Sequence, residues 1–153
     1  ESVAVRVQEA DFDLCAEVAR LTEGRTDVGA VATFTGLVRD FADGGGAAMT
    51  LEHYPGMTEA ALSEIEAEAA SRWPLAASLV IHRFGRLVPG DRIVLVATAS
   101  AHRRAAFEAA EFLMDYLKTR APFWKKEEGP EGGAWVDARE SDDAAAARWG
   151  SRD

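Results

Sequence analysis

The chain contains three lysines, and all three fall within nine residues: Lys118, Lys125 and Lys126. Every other basic residue, from Arg6 to Arg152, is an arginine. The two types differ in chemistry. A guanidinium stays protonated, whereas a lysine amine can lose its proton when buried and act as base or nucleophile. Three amines kept where arginine is otherwise used mark a place for acid–base, nucleophilic or anion-binding chemistry. The plainer reading of Lys118 is a cation in the last turn of a helix, where it suits the dipole. Lys125 and Lys126 are neighbours on an extended segment, so they point to opposite faces and at most one shares a pocket with Lys118. Phe123, Trp124 and Trp135 lie close by. As pocket walls they would lower the local dielectric and strengthen a grip on anions; as core residues they would simply pack.

A second basic pair, His102 and Arg103, opens the helix that carries Lys118. Free backbone N–H groups at a helix start favour an anion. Sixteen residues separate His102 from Lys118, about 24 Å along a helix, so one small substrate cannot touch both ends. Either the two ends serve different sites, or one end meets the other end of a second copy of the chain.

The surrounding pattern supplies the elements that position these groups. Val3, Val5 and Val7 alternate as a strand, and Asp11 is placed to cap a helix to about Leu21. Residues 28–39 read as a strand that leaves its sheet near Gly36, followed by the Gly-rich run DFADGGGAA. MTLEHY is a strand stopped by Pro55 and Gly56, and Thr58 is expected to cap a helix to about Trp73. LAASLVIHRFG and DRIVLVATA are two strands joined by a turn, RLVPG. Ser100 is expected to cap the third helix, which Pro122 ends; PFWKKE and AWVDARE then form a hairpin. The order predicts an α+β fold, a mostly antiparallel sheet with three main helices, in one domain spanning 1–153. Residues 1–10 and 143–153 are expected to fray.

Composition narrows the function. A net charge of −9 argues against nucleic acid or a membrane surface as partner. Against it stands a basic island: residues 102–126 carry six Lys or Arg and three acids. That imbalance suits a small anionic ligand or a docking point. Cys15 is the only cysteine, so neither an internal disulfide nor a Cys-based zinc site is expected. His53, His82 and His102 lie on separate elements without metal-ligand spacing, and no metal or cofactor is expected. No apolar run is long enough to span a bilayer, and the first residues lack the pattern of a signal peptide, so a cytoplasmic location is expected. The glycines at 44–46 lack the lysine and hydroxyl residue of a phosphate-binding loop. The residues alone leave open an anion- or carrier-binding module, a Schiff-base lysine enzyme, and a transferase.

The segments TFTGLVRD, LEHYPGMTE, VIHRFGRLVPGD, SAHRRAAFEA, MDYLKTRAPFWKKE and WVDARESD, in this order, resemble the large, catalytic subunit of molybdopterin synthase, the MoaE family. The resemblance runs from about Gly29 to Asp142. It implies an α/β-hammerhead-like fold and a sulfurtransferase of molybdenum cofactor biosynthesis. Such an enzyme installs the dithiolene sulfurs on cyclic pyranopterin monophosphate. The sulfur comes from the C-terminal thiocarboxylate of a small ubiquitin-like carrier ending in Gly-Gly. The implied assembly is a heterotetramer, a homodimer of large subunits with a carrier at each end. This chain closes on Ser151, Arg152 and Asp153, so it is not expected to be the carrier. By position in the motifs, Lys118 and Lys125 are the implied catalytic residues. Arg39, His102, Arg103 and Arg139 fall on pterin- and phosphate-binding positions. Phe34, Leu37, Val38, Met114 and Glu127 fall on the rest of the substrate pocket. His102 and Arg103 would come from the neighbouring protomer.

Overall fold

The computed structural model describes residues 2–40, 48–128, 134–136 and 145–150. The elements are β1 (Ser2–Gln8), α1 (Leu14–Thr22), β2 (Ala30–Leu37), β3 (Ala48–His53), α2 (Met57–Arg72), β4 (Leu75–Arg83), β5 (Gly85–Leu87), β6 (Arg92–Ser100), α3 (Arg103–Arg120), β7 (Phe123–Glu128) and β8 (Ala134–Val136). The α+β class, the three main helices and the antiparallel bias agree with the sequence. The strands, however, divide between two four-stranded sheets, ordered β1-β4-β6-β2 and β5-β3-β7-β8. β1 runs parallel to β4; the other described strand pairs are antiparallel.

The central strands β4 and β6 are buried on both faces, and their period of two separates two cores. Val80, Val94 and Val96 face α2 and α3, where they pack with Leu62, Ile65, Phe112 and Leu113. Leu79, Ile81, Leu95 and Ala97 face the other way, onto Phe12 and α1. A third cluster of Val38, Met49, Leu51 and Leu87 lines the second sheet.

The split into two sheets arises in the segment read as a plain turn. Gly85 sits at φ +92°, and a Cβ there would come within 2.8 Å of the Glu9 carboxylate. The chain therefore leaves the first sheet after Arg83, and Gly85–Leu87 pairs with β3. The turn itself follows at Pro89 and Gly90, closed by Asp91 N–H to Val88 C=O at 2.9 Å.

The three capping residues are also corrected. Asp13, not Asp11, caps α1 by accepting from Ala16 N–H at 3.1 Å; Asp11 instead binds the Arg92 guanidinium at 2.8 Å. α2 begins one residue before Thr58, after Gly56 at φ +86°, whose N–H donates to Glu59 at 2.6 Å. Thr58 is buried within the first turn. Ser100 ends β6 and donates to the Pro74 carbonyl at 2.8 Å, leaving His102 at the N-cap of α3.

Both ends of the chain pack against the core where they are described. Ser2–Gln8 pairs along its length with β4. Near the other end, Ala146 and Trp149 are buried in the main core. The Trp149 ring meets Trp73 and Phe112 edge-on, each at 5.6 Å. Among the described residues, no helix is long and apolar enough to cross a membrane.

Candidate functional site

α3 delivers Lys118 to its last turn, exposed and one turn beyond the buried Met114. The helix closes at Ala121, whose N–H reaches back to Leu117 C=O, and Phe123 N–H then donates to Ala121 C=O at 2.8 Å. This tight exit, fixed by Pro122, starts β7 and places Lys125 seven residues after Lys118.

Register settles which way each lysine points. Lys125 lies opposite Leu51, Phe123 opposite His53, and Glu127 opposite Met49. Directly opposed residues share a face of the sheet. Because Met49 and Leu51 are buried with Leu87 and Val38, this is the inner face. Lys125 is half-buried there. Lys126, opposite Thr50, is exposed on the outer face. Trp124 is outward too, 4.7 Å from the exposed Tyr54. Trp124 therefore does not wall the Lys125 side; Phe123 does.

Two histidines that the spacing rules set aside flank Phe123. His82, from the central strand β4, lies flat against the Phe123 ring, with centroids 3.7 Å apart and planes 18° from parallel. Its Nδ1 is 2.8 Å from the Arg83 carbonyl, so Nδ1 carries the proton. Burial pushes the imidazole down to about 4; the Arg83 carbonyl opposes this, and the Lys118 and His53 charges reinforce it. His82 is thus neutral and within electrostatic reach of the Lys118 amine. His53 is the second neighbour of the ring, tilted to it with centroids 5.8 Å apart, and packs against Phe84 at 4.7 Å. The His53 Nδ1 is 3.0 Å from the Thr58 hydroxyl, which donates its own proton to Tyr54 C=O at 2.9 Å. A histidine within the apolar run LVIHRF was the available signal for His82.

The other expected residues separate into groups. Phe34 and Met114 come together, lining a groove of about 480 Å³ between β2 and α3 with Val31, Phe107 and Glu111. Phe107 and Phe34 are 65% and 42% exposed, an apolar rim without cover. Leu37 and Arg39 are exposed beyond the bulge that ends β2. Glu127 is half-buried on the inner face beside Lys125. Val38 departs from the expectation: it is buried in the third core, and its backbone binds Gly90 and Asp91. Its side chain is a packing group, not an exposed contact. His102 and Arg103 are exposed at the far end of the 18-residue α3, about 27 Å from its other end. Within one chain they do not meet Lys118. Arg139 and the 44–46 glycines lie outside the described residues.

Lys118 at the end of α3 and Lys125 on the inner face of β7 each present an amine that can bind an anion and supply or accept a proton. Comparison with known proteins identifies the family. The family model described as "MoaE protein" matches residues 7–120. The molybdopterin synthase catalytic subunit of Mesorhizobium japonicum is 62% identical over 150 residues, 96% of this chain and 93% of that one. The solved structure of the molybdopterin biosynthesis MoaE protein from Burkholderia ambifaria MC40-6 superposes with a TM-score of 0.85 at 57% identity, covering 98% of this chain and 99% of that one. A complex of subunits 1 and 2 of molybdopterin-converting factor from Helicobacter pylori 26695 shares the fold, with a TM-score of 0.74 at 18% identity over 88% of this chain and 91% of that one. This chain belongs to the MoaE family.

Proposed function

We propose that the chain is the catalytic subunit of a molybdopterin synthase, transferring sulfur from the thiocarboxylate terminus of a small ubiquitin-like carrier to cyclic pyranopterin monophosphate. The observation that carries this reading is the inner face of β7, which holds Lys125 beside Phe123 at the end of the helix that presents Lys118. The relatives named molybdopterin synthase catalytic subunit support it along nearly the whole chain.

In the proposed reaction the thiocarboxylate sulfur attacks a ring carbon of the precursor, a C–O bond of that carbon breaks with its oxygen leaving protonated as water, and the new C–S bond joins the pterin to the carrier's acyl group. Water then cleaves the acyl C–S bond, leaving sulfur on the pterin and a carboxylate on the carrier. A second carrier repeats the transfer at the neighbouring carbon, and the cyclic phosphate opens. Lys118 stabilises the developing charge or moves the proton at the transferred sulfur. Lys125 holds the carrier terminus, whose charge its ammonium matches. Arg39 and Arg139 bind the pterin and its phosphate, with Phe34, Leu37, Met114 and Glu127 shaping the pocket.

His102 and Arg103 reach a Lys118 only from a second copy, so the active unit is a homodimer with a carrier on each chain. The exposed Phe34 and Phe107 support this, since a second copy would cover them. The Helicobacter pylori complex holds two different subunits together, which supports a separate partner chain here. The reaction needs no cofactor or metal and takes place in the cytoplasm.

The test is single-turnover dithiolene formation by the Lys118→Ala variant with thiocarboxylated carrier and precursor. The proposal expects a large loss of rate in a folded variant. Carrier binding by the native chain without consumption of thiocarboxylate would instead show a binding module.

A further inference from the structure

The α3–β7 junction sets where Lys125 stands relative to Lys118. The turn itself uses two backbone hydrogen bonds around Ala121. Beyond it, β7 belongs to the second sheet, and its start must be located against the first sheet by side chains. Phe123 is that side chain. It is the first residue of β7, and its ring lies on His82 of β4, the strand at the centre of the other sheet.

We infer that His82 is a positioning residue for the two lysines: as a flat, uncharged ring stacked on Phe123 it fixes the exit of α3, and with it the spacing of Lys118 and Lys125. The inference rests on the sulfur-transfer reading for the roles of the lysines, but the geometric part stands on its own contacts.

Three features support it. The orientation of the His82 ring is set from behind, since its Nδ1–H is committed to the Arg83 carbonyl at 2.8 Å. Phe123 also neighbours His53, with ring centroids 5.8 Å apart, and His53 is itself held by Thr58 at the start of α2. The Phe123 ring therefore meets residues of both sheets rather than of one. Finally, burial favours a neutral ring: the residue is 6% exposed, and Lys118 from α3 and His53 from β3 add to that preference. An imidazolium in that place would repel the amine it is meant to position. A ring that stays uncharged at neutral pH stacks without competing for the anion that Lys118 binds.

Misplacing a reacting group by about 1 Å can cost a factor of roughly 100 in rate. The test compares His82→Leu, His82→Phe, Phe123→Leu and the double variant His82→Leu/Phe123→Leu. Each is assayed with thiocarboxylated carrier and precursor, and by amide hydrogen exchange at residues 123–125. His82→Leu should lower kcat about 10-fold or more with KM for the precursor within about 2-fold, and should raise exchange at the start of β7. His82→Phe keeps a ring and should stay within about 3-fold of the native kcat, with native exchange and an unchanged pH–rate profile between about pH 6 and 9. Because the two rings act through one contact, the double variant should be no slower than the slower single variant.

A folded His82→Phe as slow as His82→Leu would overturn the inference, as would native kcat in both leucine single variants. Loss of a limb of the pH profile in His82→Phe would also overturn it, because the imidazole would then carry a proton. Should His82→Leu fail to fold, His82→Phe and Phe123→Leu still decide. Exchange that responds as expected in a native protein that transfers no sulfur would leave the His82–Phe123 contact standing and remove the sulfur-transfer reading instead.

Discussion

Ser78 of β4 donates its hydroxyl to the Glu66 carboxyl of α2 at 2.5 Å, inside a helix–sheet interface where neither residue is more than 1% exposed. Among the described residues, the second carboxyl oxygen, Oε1, has no hydrogen-bond partner within ordinary distance. A buried carboxylate half satisfied in this way is costly, and burial raises Glu66 to about 7, against the opposing pull of the Ser78 hydroxyl and the Ala4 backbone.

The sign of the pH dependence follows. The folded value lies above the ordinary 4.5, so the protonated form is favoured by folding. The stability it contributes is full below about pH 4.5 and is lost as pH rises through about 7, to a limit of roughly 3 kcal/mol. Glu66→Gln, which cannot ionise, should flatten this dependence between pH 5 and pH 8 in urea denaturation. Equal pH slopes in variant and native protein would refute it. The carboxyls of Asp11 and Glu17 are shifted the other way, chiefly by hydrogen bonds from Arg92 and Arg6 respectively. Their contribution is lost only as pH falls through their lowered values, in a separate window.

The end of the described chain is a structural clasp. Trp149 donates its indole N–H to Asp115 at 2.6 Å, and the Arg72 guanidinium binds the Trp149 carbonyl at 2.9 Å. Trp149→Ala should cost about 3–5 kcal/mol by chemical denaturation, the usual range for emptying a buried aromatic site. Trp149→Phe keeps most of the packing and removes one of the two donors to Asp115 Oδ2, the other being the Arg148 guanidinium at 3.1 Å, and should cost about 1 kcal/mol. A cost below about 1 kcal/mol for the alanine variant would show that the clasp is not part of the folded core.

The two adjacent lysines should separate cleanly in activity. Lys125 shares the inner face with Phe123 and Glu127, whereas Lys126 shares the outer face with Trp124. Lys125→Ala should lower kcat/KM by about 10-fold or more, and Lys126→Ala by less than about 3-fold. Equal losses in the two variants would contradict the facing derived from the β3–β7 register.

Much of this facing was legible before any coordinates. Period two on a six-residue strand separates Lys125 from Lys126 whatever the strand pairs with. The 3.6-residue period likewise puts Leu62, Ile65 and Ala69 on one face of α2, and all three are buried. The helix end at Pro122 was readable because proline forbids the α conformation just before it. What was not legible depends on contacts between distant parts of the chain. Whether Gly85 continues a strand or redirects it depends on Glu9, 76 residues earlier. The N-cap of α1 moved from Asp11 to Asp13 because Asp11 is taken by Arg92. Val38 was placed in the pocket by its motif but is held in the core by Met49, Leu51 and Leu87. His82 and His53 looked unrelated along the sequence because their meeting at Phe123 exists only once the two sheets are packed.

The most direct measurement is single-turnover sulfur transfer by Lys118→Ala, with native protein and Lys126→Ala beside it, each saturated with thiocarboxylated carrier and precursor. A loss of about 100-fold or more in Lys118→Ala is expected, the usual scale for removing a group that stabilises charge or moves a proton in the transition state. Carrier binding and the thermal unfolding midpoint should stay near native. Dithiolene formation by folded Lys118→Ala at the native rate would contradict the assignment of this lysine to the reacting centre.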